Sequence, residues 1–129
     1  MATPLALADT SVFIAIENGR PLRAEPPDQL VVSVITVGEL RAGVLGAADF
    51  GVRAARLRTL AKALEAEPLR VDDSVATAWA ELRERLRGSG RRLGVNDSWI
   101  AATAIAHDLP LVTQDRDYDD VPGLTVVAL

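Results

Sequence analysis

Four stretches of this chain are apolar almost from end to end and too brief for helices: residues 5–8 (LALA), 30–33 (LVVS), 111–113 (LVT) and 125–127 (TVV). A strand with one wet face alternates polar and apolar residues, whereas an unbroken apolar run fits a strand covered on both faces. Strands covered on both faces belong to parallel sheets, and parallel neighbours need connections long enough to hold a helix. Residues 68–71 (PLRV) read as a fifth, short strand.

The connections carry helical spacing where the sheet requires it. Asp9–Thr10–Ser11 opens VFIAIENG, which closes at Gly19. Residues 34–46 form a helix closed near Gly46, and residues 50–66 a longer one with Arg53, Arg56, Arg58 and Lys62 on its wetter side. Residues 73–88 are the clearest amphipathic helix. Val75, Trp79, Leu82 and Leu86 line its apolar stripe, and Glu81 and Arg85 stand at pairing distance one turn apart. Asp97 starts a small-residue helix, DSWIAATAIAHD, suited to burial. RPLRAEPPD and GSGRRLG read as loops, the second one basic. The order of elements predicts an α/β fold of three layers, α/β/α, around a mostly parallel central sheet. The 129 residues suit a single domain spanning 1–129.

Composition narrows the chemistry. The chain has no Cys, which excludes disulfides, thiol nucleophiles and thiolate-bound metals. Its one His, His107, cannot build a multi-His zinc site or a two-His acid–base pair. No G-x-S-x-G elbow is present to seat a serine nucleophile. Apolar runs stay far below a membrane span. MATPLALADTS lacks the basic start and the apolar length of a signal peptide, so a cytoplasmic protein is expected. The net charge of −4 argues against broad, non-specific nucleic-acid binding while leaving room for a local basic rim.

Chemistry is left to carboxylates, hydroxyls, Arg or a metal. Ligand sites of parallel sheets lie beyond the carboxyl ends of the strands. Asp9 ends the first strand and Asp115 follows the strand at 111–113. Asp97 opens its helix, and Glu39 falls about two turns into the helix after Ser33. Four acids far apart in sequence thus have a route to one edge of the sheet. Gathered carboxylates repel each other, and a hard divalent cation removes that cost. Each acid also has a purely structural reading. Asp9 and Asp97 suit helix N-caps, and Thr36-x-x-Glu39 has the form of a capping box. Asp119 and Asp120 read as solvated loop residues, and His107 as a surface or core residue. Ser11 and Thr113 read as local hydrogen-bonding groups or as neighbours of a metal-bound water.

Three segments add specific wording: LALADTSVFIAI, SVITVGELRAGV and GVNDSWIAATAIAHDLPLVTQDRDYDDVPGL. In this order and spacing they resemble a PIN domain, and most closely the VapC-type toxins of bacterial toxin–antitoxin pairs. The resemblance covers residues 5–127, nearly the whole chain. It implies a Mg2+- or Mn2+-dependent ribonuclease that hydrolyses RNA to a 5′-phosphate and a 3′-hydroxyl. On that pattern Asp9, Asp97 and Asp115 hold one metal ion directly or through water. Glu39 holds a second ion or orients the attacking water, and Asp117 contributes from further out. Ser11 and Thr113 match hydroxyl positions near the site, while Asn96 departs from the family's usual residue. The resemblance also implies a VapB-like antitoxin that covers the acidic site and supplies the DNA binding this chain lacks. A homodimer is implied as well, and the apolar stripes of residues 34–46 and 50–66 are the surfaces expected to pair.

An acidic pocket repels RNA, so basic residues must offset it. Arg91 and Arg92, in the Gly-rich loop before Asp97, are expected to grip phosphates, with Arg116 and Arg20 as helpers. Two other classes compete. Asp-based phosphoryl-transfer domains place an acid after a strand, but the phosphatase type wants a second Asp where Ser11 stands. The receiver type wants a Lys after a late strand, and Lys62 lies in a helix. A PIN-like domain that only binds, without cleaving, is the non-enzymatic alternative.

Overall fold

A computed structural model describes residues 5–129. The start of the MATPLALADTS segment, residues 1–4, lies outside the described residues. The chain runs β1 (Leu5–Ala8), α1 (Thr10–Glu17), β2 (Gln29–Val31), α2 (Val34–Leu45), α3 (Phe50–Ala63), α4 (Asp73–Ser89), α5 (Val95–Ala106), β3 (Leu111–Thr113), a 3-10 turn (Arg116–Tyr118) and β4 (Val126–Ala128). The strands form one sheet in the order β2-β1-β3-β4, and every pairing is parallel. Leu7 pairs with Leu111 and Ala8 with Val112, so β1 and β3 end side by side at the centre of the sheet.

Strand pleating sorts the core into two layers. Ala6 and Ala8 of β1 face Val12, Phe13, Leu40 and Leu60, which come from α1, α2 and α3. Leu7, between them in sequence, points to the opposite face and meets Leu82, Leu86, Ile100 and Ala104 of α4 and α5. Leu7 and Leu111 are completely buried and Leu82 is 2% exposed. Burial of each such side chain contributes about 1.5–3 kcal/mol. Among the described residues, no helix is long and apolar enough to cross a membrane.

Several boundaries depart from the sequence expectation for local reasons. The run at 30–33 leaves the sheet after Val31, because Ser33 turns to cap α2: its hydroxyl accepts from the backbone N–H of Ile35 and Thr36. The expected strand at 68–71 reduces to one parallel bridge, Ser33 to Leu69. Pro68 has no N–H to extend a ladder, and Arg70 and Val71 are exposed. The last strand begins one residue later than its apolar run. Helix α3 stops at Ala63, with residues 64–66 turning towards Pro68. Glu81 and Arg85 do not pair; the ion pairs among the described residues are Lys62–Glu65 and Glu84–Arg87, both well exposed. Such pairs contribute little to stability.

Candidate active site

Adjacent strand ends bring the first acids together. Asp9 follows β1 directly, and its N–H donates to the Val112 carbonyl of β3 at 2.9 Å. Its side chain caps α1 by accepting from Ser11 N–H at 3.3 Å, so the structural reading of Asp9 is correct. That cap leaves Asp9 only 3% exposed, with both carboxylate oxygens engaged. Thr113 Oγ1 donates to Oδ2 at 3.0 Å, and Tyr118 Oη donates to Oδ1 at 2.9 Å.

The structural readings of Asp97 and Glu39 fail. Helix α5 starts at Val95 with Gly94 as its cap and no side-chain cap bond, so Asp97 sits inside the first turn with its carboxylate free for other work. Thr36 and Glu39 form no capping box, because Ser33 takes the cap and places both inside α2. Glu39 instead accepts from Thr10 Oγ1 at 2.7 Å, and that hydroxyl lies 2.9 Å from Thr36 Oγ1. Thr10 and Thr36 are both buried, so Glu39 is anchored through Thr10 to a buried pair of hydroxyls.

Past β3 the chain turns sharply. Thr113 Oγ1 accepts from Asp115 N–H at 2.9 Å, and Asp115 Oδ1 accepts from Asp117 N–H at 2.9 Å. Ser11 Oγ accepts from Gln114 N–H at 3.0 Å and lies 3.2 Å from Thr113 Oγ1. Ser11 and Thr113 thus fasten the acidic loop to the start of α1. Asp97, Asp115 and Asp117 each present an oxygen within 4.8 Å of the other two. Asp9 stands one hydroxyl away, because Tyr118 Oη also donates to Asp97 Oδ1 at 2.9 Å.

Tyr118 is the functional residue that sequence reasoning passed over. It is fully buried, and it is the only Tyr in the chain. Its signal was its place in the RDY step between acids already singled out. One hydroxyl proton shared between two carboxylates binds each more weakly than a bond of its own would, and a second proton or a cation would offset the charge that remains. Burial pushes the Asp97 carboxyl up to about 6, aided by the charges of Asp9, Asp115 and Glu39 and opposed by the Tyr118 hydrogen bond. Burial and the two neighbouring carboxylates push the Tyr118 phenol up as well, keeping it neutral.

The group fits a hard cation. Every donor is an oxygen, and ligands on opposite sides of a Mg2+-sized or slightly larger ion stand about 4–5 Å apart. The three-acid set differs in emphasis from the sequence expectation: Asp117 joins Asp97 and Asp115, while Asp9 approaches through Tyr118. Glu39 acts on Asp97 through its field.

The basic residues separate into two places. Arg91 donates to the Asp117 carbonyl at 3.3 Å, on the edge of the acid group, and shares a groove with Arg92. Arg116 borders a hollow of about 190 Å3 beside Asp115. Arg23, which sequence reasoning passed over, lines the same hollow, whereas Arg20 does not. Asp119, Asp120 and His107 are exposed.

Comparison with known proteins adds relatives to this geometry. A family model described as PIN domain matches residues 6–124. Ribonuclease VapC5 of Mycobacterium tuberculosis is 49% identical over 129 residues, covering 98% of this chain and 96% of that protein. Ribonuclease VapC4 of the same organism is 47% identical, covering 96% of each. Among solved structures, a VapBC-5 toxin–antitoxin structure from M. tuberculosis superposes with a TM-score of 0.87 at 43% identity, covering 97% of this chain and 98% of that one.

Proposed function

We propose, from the premise that this chain belongs to the PIN-domain family, that it is a metal-dependent endoribonuclease and the toxin of a type II toxin–antitoxin pair. The observation that carries the reading is the convergence of Asp97, Asp115 and Asp117 oxygens within 4.8 Å at the carboxyl edge of a parallel sheet. The names of the relatives at 49% and 47% identity, both ribonucleases, support RNA as the substrate.

Asp97, Asp115 and Asp117 would hold Mg2+ or Mn2+, with Asp9 joining once Tyr118 yields its bond. The bound ion would lower the pKa of a coordinated water and stabilise charge on the scissile phosphate. The chain's own residues do the positioning. Thr113 and the start of α1 fix Asp9, and Ser11 fixes the loop that carries Asp115. Glu39, held by Thr10, orients the attacking water. Water adds to phosphorus as the bond to the 3′-oxygen breaks, leaving a 3′-hydroxyl and a 5′-phosphate. Arg91, Arg92 and Arg116 hold flanking phosphates against the repulsion of the acids.

The toxin role implies a VapB-like antitoxin that covers the acids until it is removed, and action on RNA in the cytoplasm. The VapBC-5 match supports such a partner. A homodimer is part of the same reading. Leu45, at the end of α2, and Phe50 and Leu57 of α3 are exposed apolar side chains on the surfaces expected for it.

The test pairs cleavage with metal binding. Purified protein should cut RNA with Mg2+ or Mn2+ and stop with EDTA. Asp97→Asn and Asp115→Asn should each lower cleavage by at least a hundredfold and weaken Mn2+ binding by calorimetry. Mn2+ binding without any cleavage would favour the non-catalytic binding module. Undiminished cleavage by either variant would remove that residue from the site.

A further inference from the structure

A groove of about 620 Å3 lies beside the acid group, between the second half of α4 and the loop leading into α5. Arg83, Arg87, Arg91 and Arg92 line it, and Leu86 and Val95 supply apolar wall. In a chain of net charge −4, four guanidinium groups around one groove are a marked local excess of positive charge. Of these four arginines only Arg87 pairs with a carboxylate among the described residues, Glu84 at 3.2 Å.

Neutral groups hold two of these arginines in place, which leaves their charge unspent. The Arg83 guanidinium lies 4.8 Å over the Trp79 ring. Trp79 stacks flat on Trp99 at 4.3 Å and donates from Nε1 to Ser98 Oγ at 3.0 Å. Arg91 is held by the Asp117 carbonyl. Arg83 and Arg87 stand one helical turn apart on α4, so they project from one face as a row. Gly90 makes the turn between the walls possible: it caps α4 with φ 73, a conformation that favours glycine.

Resting on the ribonuclease reading above, we infer that this groove is the track for the single RNA strand on one side of the cut. Arg83 and Arg87 form its outer wall and bind backbone phosphates, while Arg91 marks the point where the strand enters the acid group. Arginines set along a groove suit an extended strand, because successive backbone phosphates can follow the row while the bases stay free. Arg83, exposed on α4, carries no sequence signal for this role; only the fold sets it against the loop.

The test uses the intact protein in EDTA, which prevents cleavage, with a short fluorescein-labelled single-stranded RNA of mixed sequence. Arg83→Ala plus Arg87→Ala should weaken binding about tenfold or more. It should also flatten the salt dependence by about 1.4 in log–log slope, at about 0.7 for each phosphate no longer neutralised. Arg83→Lys plus Arg87→Lys should keep most of the slope. Mn2+ binding should be unchanged in both, so loss of the track is distinguishable from loss of the acid site. In the wild type, RNA should alter Trp emission, because Arg83 lies over Trp79, which stacks on Trp99, the chain's other Trp. Unchanged affinity and slope in the Ala variant overturn the inference, as does RNA binding with no change in Trp emission. If the Ala variant loses a poly-glutamate peptide but keeps RNA, the groove serves an acidic protein segment instead.

Discussion

Asp97 shows how one residue can be costly to the fold and useful to the site. Its folded carboxyl sits at about 6 against an ordinary 3.8, so the folded state holds a proton that the unfolded chain releases. Without metal, this group therefore contributes most stability below pH 4 and loses it as pH rises through 6. Asp97→Asn removes the titration. The melting temperature of the metal-free variant should exceed that of wild type at pH 7, and the gap should shrink steadily between pH 6 and 4. A gap independent of pH would contradict the assignment. Tyr118 carries the opposite sign. Its hydroxyl is the donor that buried Asp9 and half-buried Asp97 share. Tyr118→Phe should cost about 1.5–3 kcal/mol in urea unfolding of the metal-free protein, the usual loss for a hydrogen bond to a charged group.

At the scale of elements, caps decide where the acids point. Ser33 ends the second apolar run and starts α2, which turns Glu39 towards Thr10 rather than into a capping box. Ser33→Ala should cost about 1 kcal/mol, the usual loss for an N-cap, measured by chemical denaturation. Helix α5 was legible as buried from its small residues, but its start was not. Asp97 has the composition of a cap, and Gly94 took that place three residues earlier than a reading from side chains allows. Much of the architecture was readable: the strand runs, the five helices and the parallel order all follow from periodicity and length. The strand expected at 68–71 is a single bridge, because an apolar run says nothing about whether a neighbour is present to pair along its length.

For the whole molecule, the acid group joins α5 to the turn beyond β3, and Tyr118 ties it to the end of β1. A cation held by Asp97, Asp115 and Asp117 would cross-link α5 to that turn and would bind the folded state alone. Mn2+ at a hundred times its dissociation constant should therefore stabilise the protein by about 2.7 kcal/mol. Thermal melting with and without metal measures it, and Asp115→Asn should abolish most of the shift. The basic groove lies on the same edge, so the charge pattern runs from arginine wall to acid pocket across a short distance.

The sequence by itself determined the layers, the parallel sheet and the carboxyl edge to which Asp9, Asp97 and Asp115 belong, because periodicity and the alternation of strands with helices along the chain are local and need no partner. Only the tertiary structure decided which oxygens meet, that Tyr118 stands between Asp9 and Asp97, and that Arg83 and Arg91 line one groove. Those relations depend on packing across segments distant in the chain, and neither period nor propensity encodes a distance between them.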